Sequence, residues 1–408
     1  MVSAYLIVFF HRLAPGVLQN ELTSAFDLTA TSFGTLASMY FYAYMVMQIP
    51  VGMLADTLGA RLTVTTGMLF TAAGSLMFGM AVSPATVFAG RFLVGIGVST
   101  VFISILKIQS RWFMENEFAT MSGLTLLVGN SGGILAQTPL AFLVTIISWR
   151  HVFMGVGFIS LVIASLCYIL IRNNPADLGY EEINEFIPQK TGEKISLKKA
   201  LWSVVSEWRI WPAMFFYVFI NGSWLAFIGA WGVPYVVNVY GLSRGDAAGF
   251  IIWAMLGMII GCFFSGWISD KTGRRKIPMM VLAILYTSTW GFISLWNGGM
   301  PPLIILKPLF FLMGFGFTAF LLSLSVVKET NKPEYTGIAT SVYNTAGFLG
   351  VPLVATLTGY IIDLATANGL PPVTQFHYAF MAVFLFLCAG TLMLIPVPET
   401  HCHNIHKK

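Results

Sequence analysis

Charged residues are scarce in this chain. Asp, Glu, Lys and Arg make up 10% of its 408 residues and hydrophobic residues make up 57%, whereas a soluble domain carries about 25% charged residues. The apolar residues fall in long runs, and a bilayer-spanning helix needs about 20 of them in succession. The composition therefore excludes a soluble protein and predicts a multi-pass membrane protein.

Several chemical signatures are also missing. The four cysteines are scattered, which favours neither a disulfide nor a zinc site. No G-x-x-x-x-G-K-[S/T] phosphate loop occurs, so ATP is not expected to drive the protein. We find no nucleophile–base constellation and expect no enzyme, no cofactor and no nucleic-acid partner. The tail holds His401, His403 and His406, but we expect it to be flexible and to hold no physiological metal.

Acidic residues are absent from the middle of the predicted spans, because Asp56, Asp270 and Asp363 fall at helix ends. Basic residues also do not form a leader, since no Lys or Arg precedes Arg12 and a cleavable signal peptide is therefore not expected. The ionisable groups that remain inside the spans are mainly basic.

The apolar runs predict an all-α membrane protein with twelve transmembrane helices. We place these helices at 1–20, 32–54, 62–82, 85–107, 118–144, 150–171, 210–237, 246–268, 277–297, 302–327, 336–362 and 375–396. They form an N-terminal six-helix half, 1–171, and a C-terminal half, 210–397. A polar segment at 172–209 is predicted to be a cytosolic linker, with an amphipathic helix near 195–205, and 398–408 is a cytosolic tail.

One motif occurs twice, 214 residues apart, at matching places in the two halves. Gly52, Asp56, Gly59 and Arg61 recur as Gly266, Asp270, Gly273 and Arg275. This G-x-x-x-D-x-x-G-x-R cassette resembles the loop between the second and third helices of each half in major facilitator superfamily transporters. Arg91, Gly95 and Gly97 resemble the family's R-x-x-x-G-x-G signature, and Glu117 resembles its loop between helices four and five.

The resemblance implies two pseudo-symmetric bundles around a central cavity and secondary transport by alternating access. It also implies that the cassettes act as a conformational latch, formed by Asp56, Gly59, Arg61, Glu117, Asp270, Gly273 and Arg275, and that Arg91 couples conformational or proton changes. The fifth helix departs from the drug/proton antiporters of the family, because it lacks their Gly-Pro pair. That departure makes drug efflux less favoured.

Loop charges predict the orientation. With the N-terminus inside, sixteen basic residues lie on the cytosolic side against two or three outside, as the positive-inside rule requires. We expect a monomer in the plasma membrane, such as a bacterial inner membrane, with both termini cytosolic. Its partners would be the lipid bilayer, a small molecule and either a coupling ion (proton or sodium) or a counter-substrate.

Arg12 and His11 lie in the middle of the first predicted span, about 15 Å from either end. Because Arg cannot shed its charge, Arg12 requires water, a partner or an anion; it either contacts substrate or bonds backbone carbonyls or Tyr hydroxyls. Tyr40, Tyr44 and Gln48 share one helical face and could orient an anion beside Arg12.

Further candidates for substrate contact are single polar or aromatic residues in other helices. For each, the alternative is a helix–helix hydrogen bond, packing or, for the lysine, a snorkelling side chain; they are Lys107, Asn130, Asn221, Trp224 and Asn344. A basic cavity favours an anion, so we predict transport of a small, anionic organic solute. Proton-coupled efflux of amphipathic drugs and a transporter-like receptor remain alternatives.

Overall fold

The computed structural model describes residues 1–181, 197–332 and 335–405, and it forms only helices and their connections in these ranges. Residues 182–196 of the predicted linker and 406–408 of the predicted tail, with His406, lie outside the described residues. The α-helices are, in chain order, α1 Val2–Val17, α2 Gln19–Phe26, α3 Ala30–Thr57, α4 Gly59–Gly79, α5 Pro84–Trp112, α6 Glu115–Leu135, α7 Thr138–Ile146, α8 Trp149–Leu170, α9 Leu197–Val205, α10 Trp211–Ala226, α11 Gly232–Tyr240, α12 Arg244–Thr272, α13 Lys276–Leu295, α14 Leu303–Phe317, α15 Ala319–Thr330, α16 Thr336–Ala367 and α17 Pro372–Leu392.

The membrane spans follow the predicted order. Within the described residues, ten helical segments are long and apolar enough to cross a membrane, and the bent pair of α1 and α2 is an eleventh. The remaining span of the prediction corresponds to α3, which has 28 residues. This helix is not among the ten, and its polar side chains Tyr40, Tyr42, Tyr44 and Gln48 lower its hydropathy.

Four predicted spans are irregular in the structure, although three of them, Thr120–Ile146, Trp208–Tyr240 and Leu303–Thr330, remain single membrane spans. Backbone chemistry explains most of the irregularities. The first span bends by 67° between α1 and α2, just after Pro15 and Gly16. The fifth breaks at Gln137, two residues before Pro139, and the seventh contains a π-helical turn, Phe227–Trp231, that precedes Pro234. Proline removes a helical N–H and disturbs the preceding turn. The tenth predicted span is divided at Thr318.

The chain forms two compact units, Met1–Asp27 with Leu36–Lys194 and Leu28–Thr35 with Ile195–Lys408. Within the second unit, the Asp363 carboxylate accepts hydrogen bonds from the N–H groups of Ala30 and Thr31, both at 2.8 Å. A carboxylate at a helix N-terminus satisfies donors that the helix leaves unpaired. Asp363 therefore caps the start of α3 and explains why this segment belongs to the second unit.

Small residues allow the close helix packing of the first unit. Gly67 on α4 faces Gly97 on α5, and a Cβ added at Gly67 would lie 2.6 Å from the Gly97 carbonyl oxygen. Gly132 on α6 packs against the backbone of Leu6 on α1. Helices in membranes associate through such close backbone contacts, and these contacts fix α1 and α5, which carry the buried cations described below.

Candidate functional site

Arg12 is the most distinctive side chain of the first unit, because it is a cation buried to 9% exposure within a membrane span. Its guanidinium carbon lies 4.8 Å from the ring centroid of Phe9, 5.9 Å from that of Tyr40 and 5.6 Å from that of Tyr44. Its side chain also hydrogen-bonds that of Tyr40. We call Arg12 with Phe9, Tyr40 and Tyr44 the arginine cage.

The aromatic rings of the cage hold one another in place. Tyr40 and Tyr44 stack with 11° between their planes, since residues four apart share a helical face. The Tyr40 hydroxyl donates to the Val8 carbonyl at 3.3 Å, which ties α3 to α1. Cation–π contacts stabilise the guanidinium without neutralising its charge. The cage therefore presents a fixed positive charge in a place that excludes most water.

His11 faces a different part of the unit from its neighbour Arg12. Its ring is fully buried and lies between Phe10 and Phe153, with ring centroids 6.0 Å and 5.7 Å away. Neither ring nitrogen has a hydrogen-bond partner among the residues that the structure describes. The structure therefore does not bring His11 into the arginine cage with Tyr40 and Tyr44.

The other polar candidates of the first unit lie apart from Arg12. Gln48 donates to the Tyr44 carbonyl at 3.4 Å, one turn along α3 from the cage. Asn130 donates to the Leu126 carbonyl of its own helix at 2.8 Å. Lys107 lies near the first cassette, where its ammonium contacts the Asp56 carboxylate at 2.7 Å and the Ala55 carbonyl at 2.6 Å.

In the second unit, two of the three candidates join helices. Asn221 on α10 is buried and donates to the Gly347 carbonyl of α16 at 3.0 Å. Trp224 stacks on Phe317 with a centroid distance of 4.5 Å. Asn344 is half-buried on α16. These contacts match the alternative of helix–helix bonding and packing that the sequence left open, while their role in substrate contact stays a prediction.

The first cassette places its charges on several helices. Gly59 has a φ of +80°, a left-handed conformation that glycine adopts without strain, and so starts α4. The Arg61 guanidinium turns to α8, where it donates to the Tyr168 carbonyl at 2.8 Å and lies 4.5 Å from the Tyr168 ring centroid. Glu117 accepts the Met114 N–H at 3.0 Å and caps α6. Asp56 pairs with Lys107 instead of Arg61.

The second cassette forms a network of ion pairs and hydrogen bonds around Arg275. Gly273, with a φ of +61°, ends α12, and Arg275 pairs with Asp270 at 2.8 Å and with Glu329 at 3.0 Å. The Glu399 carboxylate accepts the N–H of Arg275 at 2.7 Å and that of Lys276 at 3.0 Å, which caps α13.

The described part of the tail makes hydrogen bonds to this network, while its flexibility stays a prediction. Thr400 donates to the Glu329 carboxylate, the Ile405 N–H donates to the Glu329 carbonyl at 2.9 Å, and Asn404 donates to the Asn331 carbonyl at 2.8 Å. Among the described residues, no group of three or more His, Cys, Asp or Glu side chains could hold a metal.

Several contributors were missed by sequence reasoning. Phe9 lies three residues before Arg12, and Tyr5 stacks near it on Phe102; helical spacing could have identified both. Glu329 and Glu399 lie 54 and 124 residues from Arg275, and no local pattern connects them with the cassette.

The chain belongs to the Major Facilitator Superfamily, whose family model matches residues 1–355. A solved structure of a bacterial homologue of the human lysosomal transporter Spinster, inward-facing and unoccupied, superimposes with a TM-score of 0.76 at 16% identity. It covers 96% of this chain and 94% of that chain. These findings confirm the predicted fold of twelve helices in two bundles, and they identify a membrane transporter rather than an enzyme.

Three bacterial relatives resemble the chain over most of its length. The hexuronate transporter of Bacillus subtilis is 26% identical over 367 residues, covering 86% of this chain and 83% of that protein. The D-galactonate transporter of Escherichia coli is 24% identical over 388 residues, covering 90% and 88%. The membrane sensor protein UhpC of Escherichia coli is 25% identical over 405 residues, covering 95% and 87%.

Proposed function

We propose that this protein is a secondary transporter of sugar acids, with Arg12 as the group that binds a carboxylate. The observation that carries the proposal is the arginine cage, a buried guanidinium held among aromatic rings. The helices that build the cage, α1 and α3, contain no Asp or Glu except Asp56, near the end of α3. The cage is therefore positive, and an anion is the ligand it attracts.

The chemistry of the cage fits a carboxylate attached to a sugar. A guanidinium grips a carboxylate through two parallel hydrogen bonds, which gives geometric specificity as well as affinity. Tyr hydroxyls both donate and accept hydrogen bonds, as sugar hydroxyls do. Two relatives are transporters of hexuronate and of D-galactonate, and both of these compounds combine one carboxylate with several hydroxyls.

The proposal is tested by uptake into proteoliposomes that contain the purified protein. Glucuronate, galacturonate and galactonate are the candidate substrates, and glucose and glucuronamide are the matched neutral compounds. Glucuronamide keeps the size and hydroxyls of glucuronate but has no charge. We expect uptake of at least one acid and none of its neutral analogue, because the cage requires a negative charge. Equal uptake of glucuronate and glucuronamide would refute the anion proposal.

A sensor is the second candidate function, because a relative that covers 95% of the chain is a membrane sensor. A sensor binds its ligand without turnover, whereas a transporter exchanges internal for external substrate. Counterflow of labelled glucuronate into liposomes loaded with unlabelled glucuronate separates the two. Binding without counterflow would favour the sensor.

We further propose that the two cassettes face the cytosol, with both termini on that side of the plasma membrane, and that the two halves alternate access. The excess of basic residues in the assigned cytosolic loops supports this orientation. Coupling to a proton, to sodium or to a counter-anion is tested by repeating the uptake with each gradient in turn.

A further inference from the structure

Pro15 creates a gap in the hydrogen bonding of α1. In an α-helix, the N–H of each residue donates to the carbonyl four residues earlier, so residue 15 should donate to His11. Proline has no N–H, and Pro15 lies inside α1. The His11 carbonyl therefore loses its helical donor within an apolar span, where an unsatisfied carbonyl is costly.

Arg91 of α5 supplies a donor to this carbonyl. Its Nη1 lies 2.7 Å from the His11 oxygen, and the side chain is 1% exposed. A hydrogen bond from a charged donor is stronger than one between neutral groups. No carboxylate lies within ion-pair distance of Arg91 among the described residues, so the carbonyl is its main polar contact.

The contact lies beside the arginine cage. His11 directly precedes Arg12 in α1, and the guanidinium carbon of Arg91 lies 5.4 Å from the ring centroid of Tyr40, a ring that also contacts Arg12. The helix of Arg91 packs closely against α3, because a Cβ added at Gly95 would lie 2.8 Å from the Ala43 Cβ. The Arg91 side chain thus links α5 to the backbone of α1 at the residue that precedes Arg12.

We propose that Arg91 is a positioning residue that replaces the hydrogen bond lost at Pro15 and thereby fixes Arg12 in its cage. Arg91 does not contact the substrate and does not carry a proton in this role. The part of the proposal that concerns substrate affinity rests on the proposed function, whereas the part that concerns the bond between Arg91 and α1 does not.

Substitution of Pro15 gives a specific test, because Pro15→Ala restores an N–H that can donate to His11. The test is a double-mutant cycle of four proteins: wild type, Arg91→Met, Pro15→Ala and the double variant. Uptake of glucuronate gives KM and kcat, and thermal unfolding gives Tm. We expect Arg91→Met to raise KM about 10- to 100-fold, the effect of one charge-assisted hydrogen bond, with a smaller change in kcat.

The double variant should recover most of this loss in KM and in Tm, because the restored N–H makes Arg91 dispensable. The cycle cancels whatever Pro15→Ala does alone. Additive effects of the two substitutions would overturn the proposal, since a proton-coupling or substrate-binding Arg91 gains nothing from a new N–H in α1. If Arg91→Met does not fold, Arg91→Gln, whose shorter and neutral side chain cannot supply the charged donor, takes its place in the same cycle.

Pro50 is the matched control. It lies inside α3, so Pro50→Ala also restores a helical N–H, but to the carbonyl of Val46. Combining Pro50→Ala with Arg91→Met should recover neither KM nor Tm, and recovery would show a general effect of removing proline and overturn the proposal. If the wild type transports no sugar acid, the proposed function fails, while the Tm cycle still decides whether Arg91 serves α1.

Discussion

The two cassettes share their sequence pattern but use their charges differently. Asp56 pairs only with Lys107 among the described ion pairs, and its side chain is 79% exposed. Asp270 of the second cassette is almost as exposed, at 70%, but its partner Arg275 is 13% exposed and also pairs with Glu329, which is 14% exposed. An exposed pair contributes about 0–1 kcal/mol, whereas a network of less exposed charges contributes more. We therefore expect the first cassette to be the weaker contact, and the second to gain most of its strength from the pair between Arg275 and Glu329.

The caps of the following helices repeat this contrast. The Arg61 N–H at the start of α4 donates to the neutral Asn173 side chain at 2.9 Å. The corresponding N–H of Arg275 donates to the Glu399 carboxylate, which belongs to the docked tail. A charged cap interacts with the helix dipole more strongly than an amide does. The helix that follows the cassette is therefore capped by a neutral amide in the first half and by a carboxylate in the second.

Charges buried within the membrane spans are distributed the other way, because they lie in the first unit. Arg12 and Arg91 are buried in the first unit, while the second unit buries neutral groups such as Asn221 and Trp224 in its spans. A buried cation in a membrane span is costly and is retained for a function. We infer that the first half supplies the charge that selects the substrate, and that the second half supplies stability at its cassette.

The largest expected effect is that of Arg12. Arg12→Ala should weaken glucuronate binding about 30- to several-thousand-fold, because loss of a desolvated charge-assisted contact costs about 2–5 kcal/mol. Arg12→Lys should restore only part of the affinity, since Lys lacks the planar fork. Asn221→Ala in the second half is the comparison and should weaken binding less. Calorimetry on monodisperse protein measures all three, and an unchanged affinity in Arg12→Ala would end the assignment of charge selection to the first half.

Glu329→Gln should have the next largest effect, on stability. Glu329 is 14% exposed and pairs with Arg275, so its neutralisation leaves Asp270 as the one ion-pair partner of Arg275 among the described residues and should cost about 1.5–3 kcal/mol. Asp56→Asn is the matched change in the first cassette and should cost less than about 1 kcal/mol. Thermal unfolding in detergent compares them. Equal losses would mean that the two cassettes do not differ in strength.

For transport rates, in contrast to stability, we expect the larger effect in the first cassette. Asp56→Asn should reduce the rate several-fold and Asp270→Asn less, because Lys107 loses its only ion-pair partner among the described residues while Arg275 keeps Glu329. Expression and insertion should stay largely unchanged in both. Initial uptake rates at matched protein levels provide the measurement. Wild-type rates in both variants would contradict the latch role.

The sequence predicted the fold well because hydropathy and the repeated cassette are local signals. It also identified Arg12, Tyr40 and Tyr44, which the structure brings together. It did not predict the pairing of Lys107 with Asp56 or of Arg275 with Glu329, because these partners are distant in sequence. The break after Pro15 was visible in the sequence, but its repair by Arg91 depends on the packing of α5 against α1.

The smallest expected effect concerns Glu399 and pH. Burial alone would raise the pKa of Glu399, but the N–H groups of Arg275, His401 and Lys276 outweigh it and hold the pKa below its ordinary value. A lowered pKa means that the charged cap stabilises the folded protein above the ordinary glutamate pKa, and that this stability disappears as the pH falls through the folded-state pKa. Glu399→Gln should therefore lower stability by about 1 kcal/mol near neutral pH, as loss of a cap does, and by progressively less in acid.

Asn173→Ala, at the neutral cap of the first half, should show a loss that does not depend on pH over the same range. The difference in Tm from wild type, followed from pH 7 down to the lowest pH at which the protein stays folded, makes the comparison. A pH-independent difference for Glu399→Gln would mean that the charge of this cap contributes nothing, and that the two caps are equivalent.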